Sequence, residues 1–563
     1  MIEALTTSPQ KPWAKSAGRI GWAVLILLTL YVSYFRHLGA IGFVGPDEPR
    51  YAWIARDMAE AGDWVTPRLY GKPWFEKPPL YYWGAAESFK LFGVREAAAR
   101  LPSAISALLL TLALAWLVLR LYDPETALWL LLLLPTCSGM IGFSHAAAMD
   151  MPFSGMLTIA MVSAAVVLGL ARNANTPVIP RTPWLALISF GFFLGLAVLA
   201  KGPAAIILCG GAVFFWAVFT KGWRDSVRLF HPAAIAAFCI TALPWYILCA
   251  RRNPDFFRIF IIEHNFKRFL TPEFQHIQPW WFYAPVLLLA FLPWAALFLW
   301  ASLAGSKVLW SGRFTAACAW FFICWAGFCA IFFTVSRSKL PGYVLPAVPA
   351  IGVLLARDLS RRLEARTGKA PWMCFGLSLT FLLLGFVARL KSERVPFVTD
   401  IRPAPGVMQF SYLMILAGIV VAVLAGLRHV RLAMVSGAIA FPLFMALGTA
   451  NLWALDEGVS ARSAAASAES HLSSTQLETA SSYKLPRALK FGLNFYLHRE
   501  LAEWAPPVGR SSIIFTTHAS SKELEQMGIR CFSYIVYPAV GICVDSTAVA
   551  RLPDGPARSG KPQ

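Results

Sequence analysis

A chain of 563 residues that is 57% hydrophobic and only 14% charged, with positive mean hydropathy, is excluded from the soluble globular class, whose domains carry about 25% charged residues. Its formal charge of +20 invites a nucleic-acid reading. The basic residues, however, sit in short segments between apolar runs of about 20 residues, the length that crosses a bilayer as a helix. The composition predicts a polytopic α-helical membrane protein, with membrane lipids as its surroundings and no nucleic acid as partner.

Lys11, Lys15 and Arg19 precede the first apolar run, which predicts a span at 19–37. Further runs predict spans at 99–120, 126–143, 151–171, 183–200, 203–220, 229–249, 280–301, 314–334, 343–357, 371–388, 408–426 and 432–450, about thirteen in all. An odd number puts the two ends of the chain on opposite sides. With the basic N-terminus inside, Arg172 and Arg181, then Lys221, Arg224 and Arg228, then Arg357, Arg361, Arg362 and Arg366 also fall inside. The outer side then receives the loop 38–98 with its juxtamembrane helices, the loops 250–279, 336–343 and 389–407, and the tail. No cleavable signal peptide is expected, because the first run is too long and lacks a small-residue cleavage site.

After Trp453 the composition changes, which divides the chain into a transmembrane domain, 1–455, and a small α/β domain, 456–563, on the outer side. Residues 460–482 read as a helix or a flexible lead-in and 485–496 as a helix. Residues 511–517 read as a strand, 521–527 as a short helix and 534–544 as further strand. There is neither a P-loop nor a Gly-rich dinucleotide turn, so no nucleotide is expected. Eight of the ten cysteines lie in or beside apolar spans, where they read as packing residues. Cys531 and Cys543 lie in the polar tail, and an outer location would permit a disulfide between them.

The chemistry-bearing residues cluster at the outer ends of spans. Asp47 precedes Pro49, and Tyr51, Ile54, Ala55 and Met58 repeat at helical spacing, so Asp47 reads as the N-cap of a surface-lying helix or as a functional carboxylate. Asp150, followed by Pro152, has the same two readings at the start of a span, and a carboxylate at a membrane boundary is a functional candidate by default. Arg50, Lys77, Lys201, Lys267, Arg268, Arg337 and Lys339 all fall on the side where basic residues are less expected. They read either as phosphate donors or as snorkelling anchors. Glu76 and His264, from two outer loops, are the candidate metal pair, with a plain structural contact as the alternative. Tyr343 offers a hydroxyl, and Trp280, Trp281, Phe282 and Tyr283 read as an interfacial belt.

The stretch from Gly45 to Leu80, with Asp47-Glu48 followed by Phe75-Glu76-Lys77-Pro78-Pro79, resembles the first external loop of the lipid-carrier-dependent glycosyltransferases of the GT-C class. Within that class it is most similar to the bacterial aminoarabinose transferases, the ArnT family. The resemblance extends through 40–110 and the segments around 145–152, 200–204 and 257–269, and thins after about 455. It implies a GT-C type fold and transfer of 4-amino-4-deoxy-L-arabinose from undecaprenyl phosphate to lipid A at the periplasmic face of the inner membrane, giving resistance to polymyxin and cationic peptides. It also implies Asp47 and Asp150 as catalytic carboxylates and Lys77, Arg268 and Tyr343 around the carrier phosphate, to which Arg50 and Lys201 are added as outward-facing cations. A divalent ion held by Glu76 and His264 is the one cofactor considered. Two other readings are a protein O-mannosyltransferase, which shares the first-loop plan, and a lipid transporter or flippase, which would place polar residues deep in the spans.

Overall fold

The computed structural model describes residues 12–171, 183–267, 277–310, 317–364, 370–390, 405–447, 456, 459–505, 513–532 and 540–544. These fall into two compact units: Met1–Gly39, Ile54–Leu390 and Pro405–Thr449 form the first, and Ala40–Trp53, Lys391–Ala404 and Ala450–Gln563 the second.

The first unit is helical. Among the described residues nine helices are long and apolar enough to cross a membrane, and the protein is a multi-pass membrane protein. The apolar helices Arg19–Tyr34 and Ala204–Thr220 are shorter. The single span expected at 126–143 is instead a bent pair, Pro124–Leu133 and Ser138–Ser144, at 62° to each other. The span expected at 280–301 is likewise two helices, Tyr283–Ala290 and Ala295–Trp310. Each break falls at a proline, Pro135 in the first and Pro293 in the second, a residue that cannot continue the helical hydrogen-bond ladder.

Water supplies no force between helices in hydrocarbon, so small residues and interhelical hydrogen bonds hold such bundles. Helices Ala370–Leu390 and Pro405–Gly426 show both devices. Ser378 donates to the Gly418 carbonyl at 2.7 Å, and Ser411 returns a bond to the Gly385 carbonyl at 2.7 Å. A side chain at Gly385 would lie 2.8 Å from the Ser411 carbonyl oxygen, so the exchange requires glycine there.

The second unit contains a five-stranded sheet. In chain order the strands are β1 Ser481–Tyr483, β2 Ala502–Glu503, β3 Ile513–Thr516, β4 Arg530–Phe532 and β5 Gly541–Val544, arranged 2-1-3-5-4. β1 is parallel to both β2 and β3, and β5 is antiparallel to β3 and β4. Helices Arg462–His471, Arg487–Tyr496 and His518–Gln526 accompany it. Cys531 and Cys543 are cross-strand partners on β4 and β5 and form a disulfide. The other eight cysteines are free and buried or half-buried.

Candidate active site

In the first unit, the helix Asp150–Val167 starts after a turn held by Ser103, whose hydroxyl donates to the Ala146 carbonyl at 2.7 Å. Asp150 does not cap this helix; no side-chain cap bond closes its start. Its carboxylate instead accepts from Lys201 Nζ at 2.5 Å. Lys201 is the last residue of helix Trp184–Lys201, which Gly202 ends at φ +82°, in the region where glycine is favoured. A carboxylate in a first turn and an ammonium in a last turn each complement the helix dipole, so the pair suits both helices.

The side chains of Lys201 and Asp150 are 10% and 23% exposed. Lys201 Nζ lies 4.6 Å from the Tyr343 ring centre and 5.4 Å from that of Phe153, within cation–π range of both. Tyr343 sits in the 3₁₀ turn Pro341–Ala347. Gly342 beside it permits close approach, since a Cβ there would come within 2.7 Å of Asp150 Oδ1 and 2.9 Å of the Phe143 ring. The segment leading in is pinned from the side: buried Lys339 donates to the Gln278 carbonyl at 3.1 Å, and Tyr283 to that of Leu340 at 3.2 Å. Trp280 and Trp281 are exposed, as a belt requires, but Tyr283 is buried in this contact and leaves the belt.

The Phe75-Glu76-Lys77 motif is anchored through its aromatic residue. Phe75 packs edge-on against Phe256 at 5.3 Å, in a cluster with Trp245 and Phe260. Trp245 Nε1 donates to the Val65 carbonyl at 2.9 Å, and Asn253 donates to Thr66 Oγ1 at 3.0 Å. Those bonds tie the loop to the end of helix Pro232–Arg252. Glu76 and Lys77 follow as a mostly buried ion pair at 3.9 Å, 10% and 14% exposed. His264 is half-buried in the π-helical turn Arg258–Lys267.

In the second unit, Asp47 opens the helix Asp47–Ala61, and its half-exposed carboxylate takes the Arg50 guanidinium at 2.5 Å rather than a first-turn amide. Arg50 is 5% exposed and also lies against the rings of Tyr51 and Phe491 at 5.2 and 5.8 Å. Glu48 reaches back to the Val44 amide at 2.7 Å. The strand of chain before Asp47 is clasped from the C-terminal part of the same unit. The Gly42 amide donates to Asp456 at 2.5 Å, the Phe43 amide to the Tyr496 hydroxyl at 2.9 Å, and Arg462 to the Ala40 carbonyl at 2.8 Å.

Residues 21–260 match the family described as dolichyl-phosphate-mannose-protein mannosyltransferase. The chain is 32% identical over 352 residues to the undecaprenyl phosphate-α-4-amino-4-deoxy-L-arabinose arabinosyl transferase of Edwardsiella ictaluri, covering 62% of this chain and 61% of that one. It is 30% identical over 375 residues to the protein of the same name from Pseudomonas aeruginosa strain UCBPP-PA14, covering 66% of each. Its fold matches the crystal structure of ArnT from Cupriavidus metallidurans bound to undecaprenyl phosphate, with a TM-score of 0.75 at 22% identity over 95% of this chain and 99% of that one. The chain is similar in sequence to these aminoarabinose transferases and shares the fold of the ArnT crystal structure. The matched stretches span 61% and 66% of those two curated relatives.

Within this ArnT-like frame the first unit brings together three residues singled out from sequence, Asp150, Lys201 and Tyr343, and joins Glu76 to Lys77. Asp47 and Arg50 form a separate pair in the second unit. Arg268 lies outside the described residues. Among the described residues no three His, Cys, Asp or Glu side chains gather to hold a metal ion, and no chemical step is routed through one. Sequence reading missed Gly342 and Phe153, both of which touch the Asp150–Lys201 pair. A glycine after Pro341 is a turn signal, but nothing local says that its missing side chain is space for Asp150. The clasp on residues 40–43 was also missed, because Asp456 and Arg462 are more than 400 residues away in sequence.

Proposed function

We propose that the protein transfers 4-amino-4-deoxy-L-arabinose from undecaprenyl phosphate to a phosphate of lipid A, at the periplasmic face of the bacterial inner membrane. The observation that carries this reading is where the likeness falls. The family match over 21–260 contains Asp47, Glu76, Lys77, Asp150 and Lys201, and the choice of donor and sugar rests on the names of the relatives quoted above, not on that family's description.

In the reaction, an oxygen of the acceptor phosphate attacks the anomeric carbon, the bond from that carbon to the carrier phosphate breaks, and the polyprenyl phosphate leaves as an anion. The expected stereochemistry is inversion. The acceptor is already anionic at neutral pH, so no strong base is needed. Lys77 and Lys201, each held beside a carboxylate, are cations suited to the phosphate that gains charge. A carboxylate, Asp150 or Asp47, suits the sugar amine and the positive charge that grows on the ring. The disulfide between Cys531 and Cys543 supports an oxidising, outer location for the second unit.

A second reading, mannosyl transfer to a protein hydroxyl, is favoured by the description of the matched family. There Asp47 would act as general base, because a hydroxyl must lose its proton. One experiment separates the two: purified protein is given radiolabelled aminoarabinose on undecaprenyl phosphate together with lipid A, and Asp47→Asn is run in parallel. Labelled lipid A from the parent protein alone is the expected outcome. No label from either, with the variant folded, overturns the lipid A reading and leaves the mannosyl reading to be tried with its own donor.

A further inference from the structure

The first unit holds a second feature, far from the candidate active site. A cavity of about 500 Å³ lies between helices Trp184–Lys201, Ala204–Thr220 and Pro232–Arg252. It falls within the roughly 300–1,000 Å³ of typical ligand pockets. On the first of these helices it runs from Leu194 to Phe190, about 10–16 Å along the axis from Lys201. Its wall is apolar except for Ser226, whose hydroxyl is already spent on the Gly222 carbonyl at 3.1 Å. Such a space rejects water and a phosphate alike, and takes hydrocarbon.

The mouth of the cavity states what kind of molecule the hydrocarbon belongs to. It is formed by the short helix Trp223–Ser226 and the 3₁₀ turn Val227–Phe230 that continues it. Trp223, Val227 and Phe230 repeat at i, i+4 and i+7, all line the cavity, and are 48%, 66% and 73% exposed. Lys221, Arg224 and Arg228 alternate with them and are exposed. Arg228 is tied to Asp225 at 2.9 Å, which leaves Lys221 and Arg224 as the cations on offer. An aromatic and aliphatic face beside a basic one, at the end of membrane helices, is the arrangement of an interfacial segment facing anionic lipid.

We propose that this cavity binds one acyl chain of an anionic phospholipid, whose headgroup phosphate is held by Lys221 and Arg224, in the leaflet on the opposite side of the bundle from Asp150 and Lys201. Gly210 lines the cavity, and a Cβ added there meets nothing within 4 Å. A large side chain at Gly210 therefore enters the cavity without displacing protein.

The test uses the full chain, purified from membranes and placed in nanodiscs of equal parts phosphatidylglycerol and phosphatidylethanolamine. Lipid retained after release into detergent is identified by native mass spectrometry. The parent protein is expected to retain phosphatidylglycerol in preference to phosphatidylethanolamine. Gly210→Phe should lose the retained lipid with its melting temperature unchanged. Lys221→Gln with Arg224→Gln should lose the headgroup preference, by about fivefold for each charge removed, while the cavity still takes an acyl chain. Equal retention of the two lipids by the parent, or undiminished retention by a folded Gly210→Phe, overturns the proposal. Displacement of the lipid by added undecaprenyl phosphate also overturns it, because the cavity would then serve the isoprenoid tail.

Discussion

Asp150 had a choice between two partners, and the choice decides what it can do. A cap would have spent its carboxylate on backbone amides of its own helix. The structure spends it on Lys201, 51 residues away, at 2.5 Å. The pair is mostly shielded from water, at 10% and 23% exposed, and both side chains remain partly accessible to a substrate. Asp150→Asn and Lys201→Met are each expected to lower the transfer rate about 100-fold or more. Because the two act as one unit, the double variant should be little worse than either single variant, and a fully additive loss would contradict the pairing. Gly342→Ala makes the same point without touching a charge. Its methyl would lie 2.7 Å from Asp150 Oδ1, so the carboxylate must move and activity should fall while the fold persists.

Among the elements, the start of the helix Asp47–Ala61 is held by chain more than 400 residues away. Asp456 is 1% exposed and accepts from the Gly42 amide at 2.5 Å, from Ser460 at 2.6 Å and from Arg462 at 2.6 Å. Replacing it by alanine leaves a guanidinium and a buried amide without their acceptor. Asp456→Ala is therefore expected to cost about 3 kcal/mol in thermal unfolding of the second unit, and an unchanged transition would show that the clasp is idle. The same unit carries a pH-sensitive contact. Lys484 donates to Glu523 at 2.6 Å and Tyr483 at 3.1 Å, and these bonds hold the Glu523 carboxyl below its usual range while Glu523 holds Lys484 above its own. A lowered carboxylate stabilises the fold above its ordinary value near 4.3 and loses that contribution as pH falls through the lowered one. Glu523→Gln should then melt earlier than the parent at pH 7, and the difference should close in acid.

At the scale of the whole molecule, what was legible in the sequence follows what is local. Uninterrupted apolar runs marked most of the spans, because length and hydropathy are properties of a single segment. The breaks at 134–137 and 291–294 were signalled by Pro135 and Pro293 but passed over, because hydropathy alone does not register a proline. Strands β1, β2 and β4 are two or three residues long, too short for alternation to show, whereas Ile513–Thr516 carried enough β-branched and aromatic character to be read. The candidate residues were named from sequence without their pairings: Lys201 with Asp150, and Arg50 with Asp47, are facts of tertiary structure. Orientation is the remaining whole-molecule property, and it rests on charge. The orientation proposed above puts Lys221, Arg224 and Arg228 at one turn, and Arg361 and Arg362 at the end of helix Val348–Glu364, on the cytoplasmic side by the positive-inside rule, and the residues stapled by Cys531–Cys543 on the oxidising side. Single cysteines placed at exposed Lys484 and exposed Lys221 in intact cells test both halves of that argument. A membrane-impermeant maleimide should label the first and spare the second until the membrane is opened. Labelling at Lys221 alone would invert the protein, and would put Asp150 and Lys201 on the side where their proposed donor and acceptor are not presented.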